Sequence, residues 1–181
     1  MKAFQMGEKV RKEVIRKSIH ISGILYIPSI IYFGKDLTSL GVITMTIAAI
    51  LFEMARKRRK TAIDVLLREY ERKRIPGYIY TGVAFSIITP FFSINACIIS
   101  AIAAFAGDGI SGIMKRVKPH LSIPSFVITS FLISLLMPVN QLFSLASIII
   151  ASFFDGKRWE DNFTIPITAA LSYEVLRLVF G

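Results

Sequence analysis

Four short polar segments of this chain combine residue types that can do chemistry together. Glu13, Arg16, Lys17 and His20 share one stripe of a helical repeat, because separations of three and four residues bring side chains to one face, and Met6, Val10 and Val14 form the apolar row beside it. If the helix continues into the apolar run, His20 is carried to the edge of the apolar phase, where an ionisable ring needs a partner or a wet cavity. An interfacial histidine anchored among headgroups is the plainer reading. Glu53 and Arg56 form a second group, three residues apart at the end of an apolar stretch, where a charge needs a partner or a task. Gly107-Asp108-Gly109 is the third: an aspartate in flexible backbone, followed by Lys115, Arg116 and Lys118. Those are ingredients of a metal-phosphate site, although Gly-Asp-Gly is also an ordinary turn. The fourth runs from Asp155 to Asn162, where Glu160, Asp161 and Asn162 could ligate a cation or cap the helix that follows.

The elements that must position these groups are apolar. Of the 181 residues 54% are hydrophobic, mean hydropathy is +0.60, and the apolar residues come in blocks rather than in the stripes a water-soluble core needs. The bilayer is the expected solvent, and a run of roughly 20 apolar residues crosses it as a helix, fewer where the membrane thins. The blocks predict an all-α polytopic bundle, one domain over residues 1–181, with about seven spans: 20–33, 37–54, 77–92, 95–106, 124–136, 142–154 and 163–178. Gly34, Lys35 and Asp36 read as a turn between the first two, and no small-residue cleavage site follows Phe33, so the first span is expected to be retained. Residues 56–74 place Ile63, Leu66, Leu67 and Tyr70 on one helical face and charges on the other, predicting an amphipathic helix along the membrane surface between spans two and three. Cys97 is the single cysteine, so no intrachain disulfide forms; packing is its expected role.

A net charge of +10 raises nucleic acid as a partner, but these cations flank apolar spans instead of coating a soluble fold, so the membrane surface is the expected partner and nucleic acid is not. With seven spans, every Lys and Arg of the 22 except Lys35 and Arg177 falls on one side, which orients the N-terminus toward the cytoplasm. Among the acidic groups Glu13, Glu53, Asp108, Asp155, Glu160 and Asp161 gather on that side as well, whereas Asp36 and Glu174 do not. A pump would carry ionisable groups near the midplane; these sit at one surface, favouring chemistry at the cytoplasmic interface. There is no Walker loop, HExxH or paired CxxC.

In their order along the chain these motifs resemble the family of dolichol kinases, phytol kinases and CTP-dependent diacylglycerol kinases, itself related to the membrane CDP-lipid synthases. The resemblance covers most of the chain. It rests on Glu13, Arg16, Lys17, His20 and Gly23 as ExxRKxxHxxxG, on Glu53 and Arg56 as ExxR, on GYIYTG at 77–82, on Gly107-Asp108 after a small-residue span, and on Asp161-Asn162 leading to Pro166. One segment departs: the family's Lys-Ser/Thr-x-Glu-Gly stretch, linked to CTP binding, reads KPHLSIPS here, from Lys118 to Ser125, without the glutamate and glycine.

The resemblance implies phosphoryl transfer from CTP to an isoprenoid alcohol at the cytoplasmic surface. It implies Mg2+ on Asp108 with Asp161, Arg16, Lys17, Lys115 and Lys118 on the nucleotide phosphates, and His20 orienting or deprotonating the lipid hydroxyl. Glu13, Glu53, Arg56, Glu160 and Asn162 complete the polar site. The alternatives are a cytidylyltransferase that makes a CDP-activated lipid, and a non-catalytic transporter or lipid-binding protein. Small residues at Ser100, Ala101, Ala103 and Ala104 permit close packing within the chain or in a homodimer.

Overall fold

A computed structural model describes residues 14–57, 75–156 and 160–181. Glu13 and the predicted surface helix beyond Lys57 lie outside the described residues. Among the described residues the fold is all-α, with six helices: α1 (Val14–Arg56), α2 (Gly77–Phe91), α3 (Ile94–Val117), α4 (Ser122–Ser134), α5 (Gln141–Ser152) and α6 (Asp161–Phe180). Short 3-10 turns lie within α1 at Ser22–Leu25 and before α4 at Pro119–Leu121.

Three helices, α1, α3 and α6, are long and apolar enough to cross a membrane, as expected of a multi-pass membrane protein. This corrects the count of seven. The apolar blocks are helical where predicted, but α2, α4 and α5 have only 15, 13 and 12 residues. At 1.5 Å per residue they reach roughly 18–23 Å against a hydrocarbon core of about 30 Å. The first two expected spans, moreover, are two arms of α1. They meet at Gly34, whose φ of 76° only glycine adopts readily. Thr38 Oγ1 donates to the Ser29 carbonyl at 3.1 Å, a nine-residue separation that a straight helix holds about 13 Å apart, so the chain folds back at Gly34.

The sequence of α3 makes it the centre. Its apolar window is 83% buried, against 17% for α1 and 28% for α6. Ala101, Ala103, Ala104, Ala106 and Gly107 are small enough for neighbouring backbones to approach closely, and Ile98, Ile99 and Ile102 fill the space to Phe126, Ile148, Ile165 and Tyr173. The small-residue face is thus used within the chain, where Ser100 Oγ donates to the Pro166 carbonyl of α6 at 2.8 Å. Buried Thr89, Ser144 and Ser147 return their hydroxyls to the carbonyl four residues back, satisfying themselves without water. Leu37, Leu40, Met45, Ile47, Leu51 and Met54 of the second α1 arm point outward, a surface that water disfavours and acyl chains accept.

The first α1 arm runs antiparallel to α3 at contact distance. A methyl added at Gly23, Gly109 or Gly112 would strike Phe105, Ile21 or Lys17 respectively, so three glycines set the approach and bring Lys17 and His20 beside the last turns of α3. The opposite end of the bundle is closed by caps: Ser93 caps α3 and is itself held by Glu174, while Asn140 caps α5 and donates its N–H to Tyr173.

Candidate functional site

Where α1 crosses α3, the latter widens into a π-helical segment at Ile102–Gly107, and the Asp108 N–H reaches back five residues to the Ala103 carbonyl. The Ala104 carbonyl, which an α-helix would give to Asp108, instead accepts a hydrogen bond from His20 Nε2 at 2.8 Å. A carbonyl can only accept, so Nε2 carries the hydrogen and Nδ1 is the nitrogen left to take a proton. The His20 ring lies 5.5 Å from Phe105, which stacks on Phe85, itself tilted against Tyr26; this aromatic column walls the site on its apolar side.

Asp108 is buried at the foot of that segment. Its Oδ2 accepts from Lys17 Nζ at 2.5 Å and lies 3.2 Å from His20 Nε2, and Lys17 also donates to the Asp108 carbonyl at 3.0 Å. The Lys17 stem crosses Gly112, so only glycine leaves room for it. One turn further along α3, Lys115 Nζ pairs with Asp155 Oδ1 at 2.5 Å, beside Gly156, whose φ of 71° turns the chain between α5 and α6. Ser122 Oγ donates to the other Asp155 oxygen at 3.4 Å. Burial pushes the Asp155 carboxyl above the ordinary carboxylate range and the nearby Asp108 carboxylate adds to this, while the Lys115 ammonium opposes it.

Asp161 opens α6 and accepts from the backbone and side-chain nitrogens of Asn162 at 2.9 and 3.2 Å. Oxygens of Asp108, Asp155 and Asp161 all lie within 4.8 Å of one another. Three carboxylates thus face two ammonium groups, and the paired groups, Lys17 with Asp108 and Lys115 with Asp155, lie 91 and 40 residues apart. Beside them is a small cleft lined by His20, Thr81, Ala104, Asp108, Asp161 and Asn162, with Ile165 and Pro166, which has essentially no room even for a water molecule. Pockets that enclose a drug-sized ligand measure roughly 300–1,000 Å³, so a nucleotide does not fit into this cleft as it stands.

Of the residues predicted from sequence, the structure brings together Lys17, His20, Asp108, Lys115, Asp161 and Asn162. Arg16 is half-buried one turn before His20 on the same arm. Lys118 is not in the cluster: it is exposed where α3 ends, and among the described residues its ammonium makes no ion pair. Glu160 stands before α6, its carbonyl accepting from Phe163 and Thr164. Glu53 and Arg56 form a buried bidentate pair of 2.6 and 2.7 Å, and Tyr78 Oη donates to Glu53 at 2.9 Å, fastening the end of α1 to the start of α2. Sequence reasoning placed Asp155 in a polar loop without assigning it a site role. Its signal was its position directly after an apolar block, shared with Glu53. Thr81 was noted only as part of the GYIYTG segment, and the Ala104 carbonyl gave no sequence signal.

No protein-family model, curated protein or solved structure matches this chain.

Proposed function

We propose that this protein is a membrane lipid kinase that transfers the γ-phosphoryl group of CTP to an isoprenoid alcohol of the polyprenol or geranylgeraniol type. The active face would be cytoplasmic, as the distribution of Lys and Arg favours. The observation that carries the reading is the meeting of Asp108, Asp155 and Asp161 with Lys17, Lys115 and His20 at one end of the apolar helices, where a nucleotide from water and an alcohol from the bilayer can meet. The sequence resemblance supplies the reaction class.

In this reading the alcohol oxygen attacks the γ-phosphorus, the bond to the β-bridging oxygen breaks, CDP departs, and the hydroxyl proton passes to a base. His20 Nδ1 would take that last role, since Nε2 is held by the Ala104 carbonyl. Lys17 and Lys115 would neutralise phosphate charge, and the Phe105 column would exclude water from the lipid side. The three carboxylates, with oxygens grouped within 4.8 Å, fit a hard divalent cation in donor type, and Asp108, Asp155 and Asp161 would hold it. Bound there, Mg2+ would offset charge on the transferring phosphoryl group.

A second reading, a non-catalytic lipid-binding membrane protein, is favoured by the altered segment from Lys118 to Ser125 and by the small cleft. One experiment separates them. Purified protein is reconstituted with Mg2+, with geranylgeraniol, polyprenol or a phosphorylated lipid acceptor, and with CTP or ATP labelled at the γ or α phosphate. Entry of γ label into extracted lipid, lost in Asp108→Asn, supports the kinase. Entry of α label into a phosphorylated lipid means a cytidylyltransferase, and no label from any pair means the binding reading.

A further inference from the structure

Every carboxylate a cation would need at this site is either held by an ammonium group or adjacent to one, and the two ammonium groups differ in freedom. The Lys17 side chain is 7% exposed, threaded over Gly112 and tied to Asp108 twice. The Lys115 side chain is 33% exposed and reaches a wholly buried Asp155 side chain from the open side, over the turn at Gly156. Withdrawing Lys115 therefore uncovers a buried carboxylate oxygen while returning the ammonium to water.

Resting on the cation reading above, we propose that Lys115, and to a smaller extent Lys17, is an exchangeable counter-ion. In the empty site it neutralises the cluster, on cation binding it leaves its carboxylate, and the freed ammonium then takes an oxygen of a polyphosphate. The physical basis is charge balance. Three carboxylates and two ammonium groups carry a net charge of −1, so a dication alone makes the cluster net positive, with two ammonium groups still beside it; a polyphosphate removes that excess. Cation and polyphosphate must then strengthen each other's binding by the same factor. The site selects a cation–polyphosphate complex over either component, without a preformed nucleotide pocket.

The test is binding of Mn2+ to the full chain in detergent micelles, read from the electron paramagnetic resonance of free Mn2+, with and without inorganic pyrophosphate at matched free Mn2+. In Lys115→Gln, Mn2+ alone should bind about tenfold more tightly than in the wild type, because its competitor is gone. The strengthening by pyrophosphate should fall to a small fraction of the wild-type value. Lys17→Met should move both quantities in the same direction by less, and Lys115→Arg should restore wild-type behaviour. Mn2+ affinity that is unchanged or weaker in both lysine variants, while Asp108→Asn abolishes binding, overturns the exchange and leaves the cation site standing. No Mn2+ binding in the wild type or either lysine variant, or undiminished binding in Asp108→Asn, overturns the cation reading and the exchange with it.

Discussion

Lys17→Met should destabilise the protein more than Asp108→Asn, although the two residues share one ion pair. In the wild type Asp108, Asp155 and Asp161 face Lys17 and Lys115. Asp108→Asn leaves two carboxylates and two ammonium groups, a neutral set in which Lys17 still has acceptors close by. Lys17→Met leaves three carboxylates, their oxygens within 4.8 Å, facing a single ammonium. Removing one partner of a buried pair costs about 3–5 kcal/mol, and Lys17→Met should fall at the low end, about 3 kcal/mol, because His20 Nε2 stays 3.2 Å from the stranded Asp108 oxygen. Asp108→Asn should cost about 1–2 kcal/mol, the loss of hydrogen bonds to a charged acceptor. The double variant removes one charge of each sign, so it should be more stable than Lys17→Met alone, with a coupling energy of about 2–3 kcal/mol. The assay is unfolding by SDS titration in mixed micelles, followed by circular dichroism for all four proteins. An Asp108→Asn cost equal to or above that of Lys17→Met, or strictly additive single effects, would refute the charge-balance reasoning.

Other perturbations test the frame that holds the cluster. Arg56→Met should cost about 3 kcal/mol by stranding the buried Glu53 carboxylate, and Tyr78→Phe about 1 kcal/mol, both measurable by the same titration. Gly34→Ala should cost about 1–2 kcal/mol through backbone strain at φ 76°, since open space surrounds that position, and a neutral result would mean the α1 arms do not fold back there. Gly112→Ala gains about 1 kcal/mol of helix propensity but drives a methyl into the Lys17 stem, so a net loss of stability is expected; a net gain would show that Lys17 does not cross Gly112.

Much of this architecture is legible along the chain, for reasons that are local. Continuous apolar blocks can be solvated by lipid or by one another but not by water, and each one is helical. Gly34 with Lys35 and Asp36 reads as a turn, and the chain breaks there. The number of spans did not follow, because helix length depends on where capping residues such as Ser93 and Asn140 and the turns after Ser134 and Ser152 cut the apolar runs, and three of those helices are too short. The separation of Lys118 from the cluster was not legible either. It shares a sequence run with Lys115, but α3 ends between them, leaving one lysine over Asp155 and the other in solvent.

What the sequence determined by itself is the all-α class, apolar helices of a kind that suits a bilayer, and the gathering of His20, Asp108 and Asp161 beside cations at the ends of apolar segments. These follow from composition and from the period of one helix. Only the tertiary structure decided which charges meet. The bond from Lys17 to Asp108 spans 91 residues and that from Lys115 to Asp155 spans 40, and both depend on glycines that let α1 lie against α3 and turn the chain after α5. The π-helical segment that gives the Ala104 carbonyl to His20 likewise has no local sequence signature. Helical periodicity specifies which face a residue occupies on its own helix; close packing specifies what that face meets.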